Sequence, residues 1–274
     1  MGRSHALSGA GIWLVGSAVY SATVTHEPNN IPTLILGTIV FTGAALAPDI
    51  DSYSATVTKS FGIFGRVLYF LANVVSLFFY NITRSRYDEP KTNGHRTFFH
   101  TTIAAIVMGG LVALATLSTG EVTIWDKVYS WGQVFALLIM AFCLHLALAG
   151  VFSKQLKNSK KGFGPYILMA ASIGIMLIIS RVLPAPEGTY AWLGLAFGLG
   201  WYTHLLGDFI TKMGVPLLWP IPISGHRWWD VSLPTFMRIE AGGTVENVFL
   251  VPLFLLMIAG GAVWNVLIIM GVTS

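Results

Sequence analysis

The chain carries seven histidines and twelve carboxylates in 274 residues, and those of chemical interest fall in short groups. His5 stands near the start. Asp49 and Asp51 share the run Ala-Pro-Asp-Ile-Asp, and His95 and His100 bracket Arg-Thr-Phe-Phe. His204 and Asp208 are four residues apart, which places them on one face of a helix. His226 and Glu246 follow. Neutral imidazole suits zinc and its transition-series neighbours, and carboxylates can bridge two metals. A His/Asp set without Cys is the composition of a catalytic site, in which bound water has its pKa lowered towards ~7 and supplies hydroxide. His5, Asp49, Asp51, His95, His100, His204, Asp208 and His226 exceed the roughly three protein ligands one catalytic zinc needs. The expectation is one or two divalent ions, zinc or manganese, with the surplus groups orienting the ligands. Arg96 is placed to neutralise a phosphoryl oxygen, and Glu246 or an unligated Asp to act as general base. His26 reads as a solvated loop residue and His145 as a hydrogen-bonded interior one.

The surroundings of these groups are apolar. Hydrophobic residues make up 54% of the chain and charged residues 10%, against roughly 25% charged in soluble domains, and mean hydropathy is +0.70. That composition excludes a disordered chain, a disulfide scaffold and an ordinary soluble enzyme. A single cysteine, Cys143, excludes an internal disulfide and a cysteine metal cluster. The first apolar run lacks a cleavage pattern and reads as a retained helix.

Apolar stretches near the ~20 residues needed to cross a bilayer occur at 7–24, 31–48, 61–82, 99–118, 131–152, 164–183, 191–210 and 247–271. Arg66, Asn73 and Asn81 interrupt 61–82. If that segment re-enters or lies in the interface and the N-terminus is cytoplasmic, thirteen of the sixteen basic residues face inside, with Lys127 and Arg181 outside. An eight-span, N-outside arrangement divides the charges less cleanly. It also sends His5, Asp49 and Asp51 to the side opposite the other candidates. The sequence therefore predicts an all-α, polytopic membrane protein of about seven transmembrane helices plus one re-entrant or interfacial helix (61–82), forming one domain over 1–274. Trp219, Trp228 and Trp229 read as interfacial anchors.

Several short motifs occur in a specific joint order: Ser4-His5, Leu46-Ala-Pro-Asp-Ile-Asp51, His95-Arg96, His100-Thr101, His204-Leu-Leu-Gly-Asp208-Phe-Ile-Thr211 and Gly214-Val-Pro-Leu-Leu-Trp-Pro220. In these the chain resembles the bacterial LexA-binding, inner-membrane-associated hydrolases, also described as membrane-bound metal-dependent hydrolases. The resemblance implies a helical protein of the bacterial inner membrane with a metal-assisted hydrolytic site. A looser similarity, in ligand order alone, to zinc-dependent phospholipases C and single-strand nucleases favours phosphoester over amide bonds.

The resulting expectation is a metal-dependent hydrolase acting on a membrane lipid or other amphipathic molecule at the cytoplasmic leaflet, with no nucleic-acid partner. The alternatives are a non-enzymatic membrane protein that binds a metal or a regulatory protein, and an ion-coupled transporter. The Lys154–Lys161 cluster reads first as an ordinary positive-inside loop; in the regulatory alternative it would dock the protein partner. The gathering of ionisable groups at one face, away from the midplane, argues against the transporter.

Overall fold

The computed structural model describes residues 2–124, 127–152, 163–182 and 189–272. The Lys154–Lys161 cluster lies outside them. Nine α-helices are described: α1 (Gly2–Tyr20), α2 (Ile31–Ala44), α3 (Thr56–Ser60), α4 (Ile63–Thr83), α5 (Thr102–Thr116), α6 (Trp131–Val151), α7 (Gly164–Val182), α8 (Trp192–Phe209) and α9 (Val251–Ile269). A short antiparallel hairpin, β1 (Glu121–Ile124) and β2 (Lys127–Ser130), joins α5 to α6, with Glu121 opposite Ser130. Local sequence sets the helix starts. The Asn30 side chain accepts from Thr33 N–H ahead of Pro32 in the first turn of α2. Thr101 accepts from Ala104 N–H at α5, and Ser130 with Gln133 forms a capping box at α6.

Length and composition make five helical stretches able to cross a membrane: Gly2–Thr25, Ile31–Asp51, Ile63–Thr83, Trp131–Val151 and Glu246–Ile269. Two shorter apolar helices cover Thr102–Thr116 and Gly164–Ile179. The exterior is as apolar as the interior: Ile106, Leu195 and Leu256 are among many large side chains left exposed. A helix hydrophobic all round belongs in lipid, and the chain is a polytopic helical membrane protein.

Contacts fix which helix ends meet. The end of α6 at Gly150 approaches Gly2, Ala6 and Leu46, so α1 begins where α2 and α6 finish. At the opposite end, Asn265 of α9 donates to Leu14 O of α1, and Gly132 of α6 meets Thr116 of α5. Seven described helices (α1, α2, α5, α6, α7, α8 and α9) thus run alternately between two ends. Close approach depends on small residues: a Cβ on Gly194 of α8 would stand 2.5 Å from the carbonyl oxygen of Gly109 in α5.

The helix α4 is different. Its 21 residues span about 30 Å, yet both of its ends touch the same end of the bundle. The Ile63 N–H donates to Tyr166 Oη at the start of α7. Thr83 Oγ1 accepts from the indoles of Trp219 and Trp228, in the loop whose Leu217 carbonyl receives Thr102 N–H at the start of α5. A helix with both ends at one level lies across the bundle, as the interfacial reading of 61–82 requires, although its composition would permit a crossing.

The tryptophan loop departs from expectation. Trp219 and Trp228 are buried, stacked on each other with ring centroids 4.9 Å apart, and pack with Tyr80 and Phe98 in a small second core. Hydrogen bonds to Thr83 turn their polar atoms inward. Only Trp229 of the three is left exposed to serve as an anchor. Cysteines introduced at the exposed Ile63 and Ile82 are expected to react with an impermeant maleimide from the same side of the membrane. The buried Cys143 leaves a clean background. Labelling from opposite sides would show that α4 crosses.

Candidate metal centre

Five chain segments bring their ionisable side chains together at this end of the bundle. The first turn of α1 carries His5. The residues after α2 form a 3₁₀ turn, Ala47–Asp51, opened by Pro48 and holding Asp49 and Asp51. His95 and Arg96 lie in the loop leading to a second 3₁₀ turn, Phe98–His100. The last turns of α8 carry His204 and Asp208. The fifth segment, the π-helical turn Glu246–Leu250 that opens α9, supplies Glu246 from behind.

The geometry divides into two kinds of contact. In the first, His95 Nδ1 and Asp51 Oδ1 are 2.7 Å apart, a hydrogen bond with a proton between them. In the second, imidazole nitrogens face carboxylate oxygens at longer range. His5 Nε2 lies 3.5 Å from Asp208 Oδ1. His204 Nε2 lies 3.6 Å from Asp208 Oδ2 and 3.7 Å from Asp49 Oδ1. His100 Nε2 is 3.6 Å from Asp208 Oδ2. These separations exceed hydrogen-bonding distance. They match the ~3.4 Å between neighbouring ligands of a tetrahedral ion with bonds of about 2.1 Å.

The tautomer of His204 sharpens the case. Its Nδ1 pairs with the Ala45 carbonyl at 3.0 Å; a carbonyl accepts only, so that nitrogen carries the proton and Nε2 presents a lone pair. His204 Nε2, both nitrogens of His100, Asp51 Oδ2 and Arg96 Nε are buried without a hydrogen-bond partner, five of the eight such atoms among the described residues. Buried polar atoms are almost always paired, and a lone pair such as His204 Nε2 facing carboxylate oxygens is a place where a cation fits. Three residue groups have ligand atoms within 4.8 Å of one another: His5, His204 and Asp208; Asp49, His100 and His204; Asp51, His95 and His100. The residues present fit a divalent ion.

Arg96 completes the wall. It adopts a left-handed backbone, φ 56°, which for a non-glycine residue is costly and typical of functional sites. Its Nη1 donates to Gly214 O at 2.8 Å and its Nη2 pairs with Asp208 Oδ2 at 3.3 Å. Asp49 is the accessible carboxylate of the group, its side chain 24% exposed, whereas those of His100 and His204 are at 0%.

Sequence reasoning missed Gly207. A Cβ there would stand 2.6 Å from His5 Cε1, so this glycine is what lets α1 and α8 share the centre and lets the His5 and His204 rings stack at 4.1 Å. Glycine costs about 1 kcal/mol inside a helix, and its place beside Asp208 was the available signal. The Ala45 and Gly214 carbonyls carry no side-chain signature.

Two predicted site residues lie elsewhere. Glu246 accepts from Ser4 Oγ–H and from Gly242 N–H, so its carboxylate braces the first turn of α1 behind His5. His226 stands apart from the three groups, 3.5 Å from Asp88 and against the Tyr87 and Trp229 rings. Asp88 in turn accepts from the backbone N–H groups of Ser85, Arg227 and Trp228. Burial opposes its charge, but these donors outweigh burial and hold the carboxyl below the ordinary 3.8. His145 bonds Ser60 at 2.9 Å and is an interior residue, as expected.

The family model described as YdjM inner membrane protein matches residues 1–154 and 163–273, and the chain belongs to that family. Its apolar helices and this membership make it a multi-pass inner-membrane protein. Among curated proteins and solved structures, none matches.

Two outcomes follow from the geometry. In Gly207→Ala the helix-propensity gain of about 1 kcal/mol is opposed by overpacking against the buried His5 ring, typically about 1–3 kcal/mol, so the variant is expected to fold with a net loss of up to about 2 kcal/mol. Displacement of His5, itself in a candidate ligand group, should weaken metal affinity by at least the roughly 10- to 100-fold that a lost orienting contact costs; titration with a chromophoric chelator reads this, and unchanged affinity would contradict the close packing. Asp88 stabilises the fold above pH 3.8, and its contribution is lost as pH falls through its lowered value. Thermal unfolding in detergent should show a decline below that pH that Asp88→Asn flattens.

Proposed function

We propose that this member of the YdjM inner membrane protein family is a metal-dependent hydrolase of an amphipathic, phospholipid-type phosphoester presented by the cytoplasmic leaflet. The observation that carries the reading is the convergence of buried imidazole and carboxylate groups, with the His204 Nε2 lone pair above all, on a buried space beside an arginine. His5, Asp49, His100, His204 and Asp208 would hold the ion, zinc or manganese. Asp51 with its hydrogen-bonded His95 stands behind His100 Nδ1, at 3.3 Å, and orients that ring. When bound, the ion supplies a hydroxide at neutral pH and polarises the phosphoryl oxygen.

The chain's own groups do the rest. Arg96 Nε, buried and unpartnered, is the donor for the non-bridging phosphoryl oxygen on which charge develops. Its Nη contacts to Gly214 O and Asp208 fix the guanidinium plane before substrate arrives. Asp49, the most accessible carboxylate of the group, would be the ligand nearest the open side of the centre, where substrate enters. Glu246, engaged with Ser4 and Gly242, acts as a positioning residue for α1. Most basic loop residues described (Lys59, Arg84, Arg86, Lys91, Lys212, Arg227 and Arg238) belong to segments at the same end as the centre, which supports a cytoplasmic N-terminus. The apolar walls exclude water from the reacting groups and strengthen each charge interaction.

Turnover of phospholipid phosphoesters by the purified protein should vanish on chelation and return with zinc or manganese. Arg96→Ala should lower kcat about 10²- to 10³-fold with metal content unchanged. Turnover indifferent to chelation, or none in the metal-loaded protein, would remove the hydrolase reading.

A further inference from the structure

Beneath α4, between that helix and the ends of the bundle, lies a cavity of about 240 Å³. Leu68, Ala72 and Val75 of α4 form its outer wall, and Phe142 and Trp201 its inner one. Every lining residue is apolar except Asp51, and the indole N–H of Trp201 is already taken by Phe99 O. Leu71 lines it while remaining exposed, so the cavity opens beside α4, and walls this apolar accept hydrocarbon, as ~150 Å³ apolar cavities accept benzene. The one polar wall is the informative feature. Asp51 hydrogen-bonds His95, and its Oδ2 lies 3.3 Å from His100 Nδ1, so cavity and centre meet at a shared carboxylate.

The roof also suits a lipid. The side of α4 turned away from the cavity exposes Val67, Phe70 and Val74, the apolar face of a helix lying in the interface. An amphiphile in the adjoining leaflet would therefore meet the same apolar surroundings on both sides of α4.

We infer that this cavity seats the hydrocarbon chain of a single-chain amphiphile, or one chain of a two-chain lipid, while its anionic head reaches the His/Asp centre past Asp51. By the benzene scale it holds on the order of ten carbons. The inference rests on the hydrolase reading for the placement of the head, and it narrows the substrate from amphipathic molecules in general to those with an alkyl chain of at least that length.

The test uses the full-length, metal-loaded protein in nanodiscs and a non-hydrolysable decyl phosphonate carrying a photoactivatable diazirine at its chain end. Peptide mapping should place the crosslinks on Leu68, Ala72, Val75 and Phe142, competed by unlabelled decyl phosphonate. Ala72→Trp, which fills the cavity, should reduce them at least tenfold with metal content unchanged. Val75→Phe offers the same blockade if the tryptophan variant does not fold. Crosslinks confined to the outward Val67, Phe70 and Val74, or unaffected by either variant, would overturn the inference. Cavity crosslinks from a protein that hydrolyses no phosphoester would retain the chain seat and discard the hydrolase reading. Full turnover without cavity crosslinks would do the reverse.

Discussion

A carboxylate buried in an apolar bundle needs cationic partners, and this constraint acts on Asp51 as it does on Asp208. Withdrawing such an ion from water costs several kcal/mol even after relaxation. Arg96 provides one compensating charge, at 3.3 Å. The other groups around it are imidazoles, and at least His204 presents a lone pair in place of a proton because its Nδ1–H is committed to Ala45. Further positive charge at this point would satisfy Asp208, His204 and Asp49 together, and a divalent ion would supply it where a proton at 3.6 Å could not bridge the gap.

The fold serves that requirement. Helices α1, α2, α5 and α8 each contribute from the end they share, so a few residues at helix termini suffice and the membrane-embedded lengths stay apolar. Small residues let the contributing helices approach, Gly109 and Gly194 between α5 and α8, and Gly207 beneath His5. The loops that close this end are themselves anchored, by Asp88 on backbone donors from two segments and by the stacked Trp219 and Trp228 on Thr83. With α4 lying over the end, the centre has a low-dielectric shell on most sides and stays open at Asp49.

The helical class, the run of crossing segments and the gathering of His5, Asp49, Asp51, His95, His100, His204 and Asp208 were legible in the sequence, because scarcity of charge makes each ionisable residue conspicuous and helix periodicity shows which end it occupies. The interfacial course of 61–82 was signalled by Arg66, Asn73 and Asn81, which interrupt an otherwise apolar run. The roles within the centre were less legible. Asp51 and His95 differ from Asp49 and His204 only by a hydrogen-bond length, which no spacing encodes. Glu246 looked like a base because a carboxylate at the start of a span is expensive, yet its two oxygens are spent on Ser4 and Gly242. His226 belonged by residue type and loop position, but Asp88 holds its ring in another cluster. Trp219 and Trp228 carried the composition of a membrane anchor and were buried by hydrogen bonds to a threonine 136 and 145 residues away.

On the function proposed above, the end of the bundle would hold a divalent transition metal between α1 and α8. Elemental analysis of protein purified without added metal or chelator tests it most directly, run beside the His204→Ala/Asp208→Ala double variant. Zinc or manganese is expected near one equivalent per chain in the parent and near none in a folded double variant. Equal metal in the two proteins, or none in the parent even after incubation with zinc and manganese, would contradict it.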